Sequence, residues 1–194
     1  MTDRATTLTR RQQKVERRDA LLRAAAALFA EHGYSGVTIE DLGAAVGVSG
    51  PAVYKHFASK NAVLAALLVD VSEGLFVGGE AVVADAAGHD ALTRLIAFHT
   101  SFALSNPAVI RVQDRDLDQL AHDDRHTVRT LQRRYVELWV GVLADIHPDR
   151  DPTVLRMRAH AVFGLLNSTP HSGVGLAQSV LRPELERMAL AALS

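Results

Sequence analysis

The sequence predicts an all-α protein of about nine helices, with an N-terminal three-helix helix-turn-helix head followed by a larger C-terminal helical body. Three observations carry that expectation. Apolar residues recur at three- and four-residue steps along most of the chain. Caps and stops punctuate those runs, as at Gly47-Val48-Ser49 and Asn106-Pro107. No stretch reads as a strand. The 194 residues can bury one good core and a small second module, and 48% hydrophobic with 22% charged residues is a globular composition.

Residues 1–17 show no sustained apolar period and carry Arg4, Arg10, Arg11, Lys14 and Arg17. Residues 1–9 read as a frayed, solvated terminus, and residues 1–14 as a flexible basic arm that orders on phosphate or reaches into a minor groove. The first helix is expected from Val15 or Arg18 to His32, burying Leu21, Leu22, Ala25, Leu28 and Phe29. Gly33 suits its C-terminal turn.

The stretch from Thr38 to Phe57 reads as two short helices joined by a tight turn. Thr38 caps the first, with Asp41 three positions on as a short capping-box partner. Ile39, Leu42 and Val46 share its inner face. Gly47 stops it without a Cβ penalty, and Ser49 with Pro51 starts the second helix. Val53 and Phe57 turn inward, which leaves Gly50, Pro51, Ala52, Tyr54, Lys55 and His56 outside. Small residues at a helix start admit base edges, and Tyr, Lys and His along its flank reach phosphate. An ordinary helical hairpin is the plain alternative.

From about Arg18 to Leu67 the chain resembles the DNA-binding domain of TetR-family transcriptional regulators. The resemblance is carried by Phe29, Gly33, Tyr34, Thr38, Ile39, Leu42, Gly47, Val48, Ser49, Tyr54, His56, Phe57, Ser59 and Lys60 in that family's spacing. Two positions depart from its commonest pattern. Ala52 stands where a hydroxyl often meets phosphate, and Asn61 where an acidic residue usually follows the lysine. The resemblance implies phosphate contacts from Thr38, Tyr54, His56 and Lys60, with Ser49 at the helix start and Gly50, Pro51, Ala52 and Lys55 toward the bases. It places the head at residues 15–61 and an effector-binding and dimerisation domain at 62–194.

In that body, Ser59 caps a long helix with Leu64, Leu67, Leu68, Val71 and Leu75 on one face, and Gly78, Gly79 and Gly88 bracket a small-residue stretch. Further helices are expected at about 90–105, 108–121, 124–146, 151–168 and 183–193. The segment AHAVFGLLN of the 151–168 helix is apolar nearly all round and predicts burial on two sides. Leu185, Met188, Ala189 and Ala192 form the inner face of the last helix. The resemblance implies a homodimer through the last two helices and a cavity for a small-molecule effector. Phe98, His99, Phe102, Arg111, Trp139, Phe163 and Asn167 are the candidate lining, each with a plain core or surface alternative.

The net charge of −1 divides unevenly. Residues 1–61 hold nine Lys or Arg against six Asp or Glu, and residues 62–194 hold twelve against sixteen. A basic head on an acidic body fits a DNA reader. With no cysteine, disulfides and thiolate chemistry are excluded, which fits a cytoplasmic protein. No run of eighteen apolar residues and no secretory signal is seen, so no membrane partner is expected. His122 and His126 share a helical face but read as solvated, so no metal is expected. Asp114, Asp116 and Asp118 lack the glycine and glutamate of a calcium loop, and Gly173-Val174-Gly175 lacks the third glycine of a dinucleotide loop. No cofactor or catalysis is expected. The reading is a ligand-responsive repressor that binds a pseudo-palindromic double-stranded DNA operator as a dimer and is released by a small apolar or amphipathic effector. An architectural DNA binder without a ligand is the alternative.

Overall fold

In the computed structural model residues 9–173 and 175–194 are described. Residues 1–8 of the expected arm, and Val174 of the Gly173 to Gly175 stretch, lie outside the described residues. The elements are α1 (Arg10–His32), α2 (Ile39–Ala45), α3 (Gly50–Val53), α4 (Lys60–Asp85), α5 (Gly88–Ser105), α6 (Pro107–Asp116), a 3-10 turn (Leu117–Gln119), α7 (His122–Ile146), α8 (Pro152–Leu166), α9 (Thr169–Ser172) and α10 (Gln178–Leu193). No strand occurs among the described residues.

Helix α1 begins earlier than its apolar period suggests, because Thr9 and Gln12 close a capping box. Gln12 N donates to Thr9 Oγ1 at 3.3 Å, and Thr9 N donates to Gln12 Oε1 at 2.8 Å. Residues 10–14 are therefore helical, and Arg10, Arg11 and Lys14 sit on a helix instead of a flexible arm. At the other end Gly33 takes φ +78 and donates to Phe29 O, as a helix-stopping glycine does.

Two apolar cores divide the molecule partway along α4. Leu21, Phe29, Leu42, Val53, Phe57 and Leu64 belong to the first, together with Val109 and Val112 of α6 and Val128 of α7. Phe76, Leu92, Leu95, Trp139, Leu155 and Leu185 belong to the second. The head is thus completed by body residues, and α4 passes from Leu68 in one core to Phe76 in the other. By length and composition α4 would suit a membrane span, yet here it packs against α1, α5 and α7.

The small residues around Gly78 and Gly79 do not break α4. They let neighbours close in. A Cβ on Gly78 would lie 2.3 Å from Phe98 Cζ, and one on Gly79 would lie 2.6 Å from Tyr135 Cε2. Phe98 is half-buried, whereas Tyr135 is buried and held by His99. Gly79→Ala is expected to lower stability by about 1–3 kcal/mol through overpacking, which outweighs the ~1 kcal/mol gain in helix propensity, as urea denaturation would read.

The last two long helices differ from expectation. On α8 only Leu155, Ala159, Val162 and Leu166 are buried, because α7 and α10 cover one side. Val154, Met157, Ala161 and Gly164 form an uncovered stripe on the other side. Helix α10 starts at Gln178, so Pro183 lies inside it instead of opening it, and the four-residue α9 precedes it. Leu185, Ala189 and Leu193 face inward, while Met188 and Ala192 are exposed.

Candidate functional site

The turn between α2 and α3 is built as a close approach of two backbones. Asp41 N donates to Thr38 Oγ1 at 3.1 Å, and Asp41 Oδ2 accepts from Thr38 N at 2.8 Å and from Thr38 Oγ1 at 2.6 Å. These bonds hold the Asp41 carboxyl below its usual range. Gly47 takes φ +71, and a Cβ on Gly43 would stand 2.7 Å from Val48 O. Val53 and Phe57 then anchor α3 and the turn that continues it.

This anchoring leaves Ser49, Pro51, Tyr54 and Lys55 exposed, with Ala52 and His56 half-buried. Three candidates stand differently. Gly50 is buried beneath Glu40, whose Oε1 lies 3.0 Å from where its Cβ would be, so it is not on the outside. Thr38 is exposed, but its hydroxyl proton goes to Asp41. Lys60 turns into the protein: Nζ donates to Tyr34 O at 2.8 Å and Val37 O at 2.7 Å, and sits 4.4 Å from the Tyr34 ring centroid. It clamps the loop after α1. Lys60→Met keeps the stem and removes the charge, and is expected to cost about 2 kcal/mol of stability without any DNA present. An unchanged urea midpoint would mean the clamp contributes nothing.

Beside the turn, the first turns of α1 open a cleft of about 800 Å³ lined by Arg10, Lys14, Arg17, Lys55 and His56, with Glu16 the one acid among the described residues lining it. Arg17 also donates to Val46 O at 2.9 Å, which ties α1 to the end of α2. His56 records the local field. Its pKa is lowered by burial and then by the charges of Lys14, Arg17, Arg18 and Lys55. Four cations acting on one imidazole make this the place where an anion would be favoured.

The body holds a cavity of about 180 Å³. Of the candidate residues, His99, Phe102, Phe163 and Asn167 line it. Phe98, Arg111 and Trp139 do not. Phe98 is spent against Gly78, Arg111 is exposed and donates to Pro170 O at 2.7 Å, and Trp139 lies fully buried behind Phe163 with ring centroids 4.9 Å apart. The rest of the lining went unrecognised in the sequence. It comprises Ser72 and Leu75 of α4, Ile110 and Gln113 of α6, Gln132, Tyr135 and Val136 of α7, and His160 of α8. Gln132 carried a usable signal, since it interrupts the stripe between Val128 and Tyr135 at helical spacing.

At the cavity's centre His99 Nε2 lies 3.1 Å from Asn167 Oδ1, and Nδ1 lies 3.3 Å from Tyr135 Oη. Complete burial pushes the His99 pKa down to about 4, against a smaller upward pull from Asn167. The imidazole is therefore neutral near pH 7. It donates from Nε2 to the Asn167 oxygen and accepts the Tyr135 proton at Nδ1.

Head and cavity share two struts. Helix α4 begins with Lys60 in the head and lines the cavity with Ser72 and Leu75. Helix α6 lines it with Ile110 and Gln113 while giving Val109 and Val112 to the head core. Arg115 fastens α6 to the end of α1 by donating to the Phe29 and Ala30 carbonyls. Asn61 Nδ2 donates to Gln119 O at 2.8 Å. An ionised acidic residue at that position has no proton to give and would not make this bond. Among the described residues no group of His, Asp or Glu is placed to hold a metal ion.

Comparison with known proteins fits both halves. Residues 21–67 match the family model for bacterial regulatory proteins of the tetR family, and residues 85–171 match that of the tetracyclin repressor-like C-terminal domain. The HTH-type transcriptional repressor KstR2 of Rhodococcus jostii (strain RHA1) is 34% identical over 135 residues, which is 67% of this chain and 65% of the relative. KstR2 of Mycolicibacterium smegmatis is 30% identical over 139 residues, 69% of this chain and 66% of that protein. The matched stretch thus spans just under two thirds of these relatives. A TetR-family regulator from Bordetella parapertussis 12822 superposes with a TM-score of 0.78 at 23% identity, covering 89% of this chain and 93% of its own. The ketosteroid transcriptional regulator KstR2 of Mycobacterium tuberculosis gives 0.76 at 22%, covering 90% and 93%, and these two likenesses speak for the fold. With an all-α fold and both family models matched in order along it, the chain belongs to the TetR family of bacterial regulatory proteins.

Proposed function

We propose that the protein is a ligand-responsive transcriptional repressor that occupies a pseudo-palindromic operator as a homodimer and leaves it when a small apolar or amphipathic effector enters the body cavity. The observation that carries this reading is α4. One continuous helix of 26 residues starts in the head at Lys60 and forms part of the cavity wall at Ser72 and Leu75. A ligand that shifts the wall shifts the head, which is allostery as differential affinity for two states. About 3 kcal/mol of coupling weakens operator binding a hundredfold.

On the DNA side, Pro51, Ala52 and Lys55 face the bases, and Tyr54, His56 and the α1 cleft meet phosphate. Two heads must stand about 34 Å apart, or a multiple of it, to enter successive major grooves. The partner is supplied by a second copy. Val154, Met157 and Ala161 on α8, with Val180 and Met188 on α10, are apolar and uncovered, and a pair of such faces makes an isologous four-helix contact. The names of similar proteins suggest the effector's kind. One is described as a ketosteroid regulator and another, FadR of Bacillus subtilis, was solved in complex with stearoyl-CoA. A whole steroid or acyl chain exceeds 180 Å³, so such a ligand requires the cavity to widen.

The test is recovery of genomic DNA by the purified protein over a series of salt concentrations. A palindromic site retained at higher salt is expected, near genes that nominate the effector's pathway. Broad recovery that salt abolishes everywhere would replace the repressor with an architectural binder.

A further inference from the structure

We propose that the body cavity is built for an uncharged ligand, about one ring in size, whose oxygen acceptor meets the side-chain amide N–H of Gln132. The proposal rests on reading this cavity as the effector site and names the class of molecule it takes. Among the described residues that line the cavity, Gln132 alone has a buried polar atom without a partner, its Nε2. A donor kept from water and left unused is costly, so an acceptor arriving there is favoured. The buried neighbours Ser72 and His99 already have partners. Ser72 Oγ donates to Leu68 O at 2.7 Å, and His99 is held between Tyr135 and Asn167.

Charge points the same way. Among the described residues no Lys, Arg, Asp or Glu lines the cavity. His99 contributes no cation, because complete burial keeps its pKa at about 4. A carboxylate entering here would leave water and meet no Lys or Arg on the described lining, with only the exposed imidazole of His160 at its edge, and burial penalises that exchange. A ketone, ester or lactone brings an oxygen acceptor at no such cost. Phe102, Ile110, Val136 and Phe163 supply apolar faces for the rest of the molecule. The volume of about 180 Å³ is close to the ~150 Å³ at which an apolar cavity holds a benzene ring.

Two molecules of matched shape decide the matter, 4-phenylbutan-2-one and 3-phenylpropanoate, which differ by a methyl group against a charged oxygen. In calorimetric titration of the full chain, the ketone is expected to bind at least tenfold more tightly than the acid. Gln132→Leu is expected to weaken the ketone about tenfold. Equal or tighter binding of the acid, unchanged ketone binding by Gln132→Leu, or binding of neither molecule overturns the proposal. The comparison on the unaltered protein stands even if the variant folds poorly. Operator binding followed on the same sample separates the two readings. Failure of the ketone with operator binding intact removes this ligand class alone, whereas absent operator binding removes the repressor and leaves the calorimetric result to be read by itself.

Discussion

Replacing Lys14 and Lys55 by Gln is expected to lower the slope of log affinity against log salt by about 3.6 units and the affinity itself about a thousandfold or more near 0.1 M salt. Both residues line the cleft beside the recognition turn, and both depress the pKa of His56, so each ammonium acts on the same small volume. In a dimer the two changes remove four cations from the DNA face, and each phosphate contact is worth about 0.9 of slope. Gln keeps much of the stem, so lost packing is not the cause of the effect. Loss of Lys14 should weaken all sequences alike, while loss of Lys55 should also change sequence preference, because Lys55 is exposed on the turn proposed to face the bases. Fluorescence anisotropy of a labelled operator over a salt series reads both quantities. An unaltered slope would mean that the cleft does not meet the backbone, and the DNA would have to approach from another side of the head.

Much of the head is legible in the sequence because its signals are local. The Thr38–Asp41 box, the positive φ of Gly47 and the Ser59 cap on Ala62 N each follow from residues within a few positions of one another. Thr9 and Gln12 offer the same kind of signal, and it is overlooked only when apolar period is taken as the sole mark of a helix. Pro183 misleads for a related reason. Proline suits a first turn, but the segment from Gln178 tolerates it one turn further in, where a single backbone donor is lost. The cavity is harder to read, since its lining depends on which sides of α4, α6, α7 and α8 meet across a gap. Aromatic residues such as Phe98 and Trp139 attract attention, yet one fills the space left by Gly78 and the other fills the core. Part of the polar lining comes from Gln113 and Gln132; Gln113 is an ordinary polar residue within its own helix, and only the break in the stripe between Val128 and Tyr135 marks Gln132. Lys60 illustrates the opposite error, in which a family role is assigned to a side chain that the fold turns inward onto two carbonyls.

The second large effect concerns acid. Between pH 7 and pH 5 the protein is expected to lose about 2 kcal/mol of stability through His99 alone, approaching ~3 kcal/mol below pH 4. The sign follows from which state takes the proton. In the unfolded chain the imidazole titrates near its ordinary 6.5, whereas in the fold burial lowers it to about 4. Between those values the unfolded state binds the proton and the folded state does not, so falling pH favours unfolding. The rings around His99 are Phe102, Tyr135, Trp139 and Phe163, and its hydrogen-bond partners are Tyr135 and Asn167, so among the described residues no carboxylate contacts it to stabilise an imidazolium. His56 is lowered as well, by burial and by the nearby cations, so it acts in the same direction, and comparison with a His99 variant separates the two. Urea denaturation at pH 7 and pH 5, at one fixed protein concentration, measures the loss. His99→Gln retains a polar side chain facing Asn167 and has nothing to titrate, so its two midpoints should lie closer together than those of the unaltered protein. If both proteins lose the same amount between pH 7 and pH 5, the acid sensitivity belongs to other groups and His99 is not held neutral by its burial.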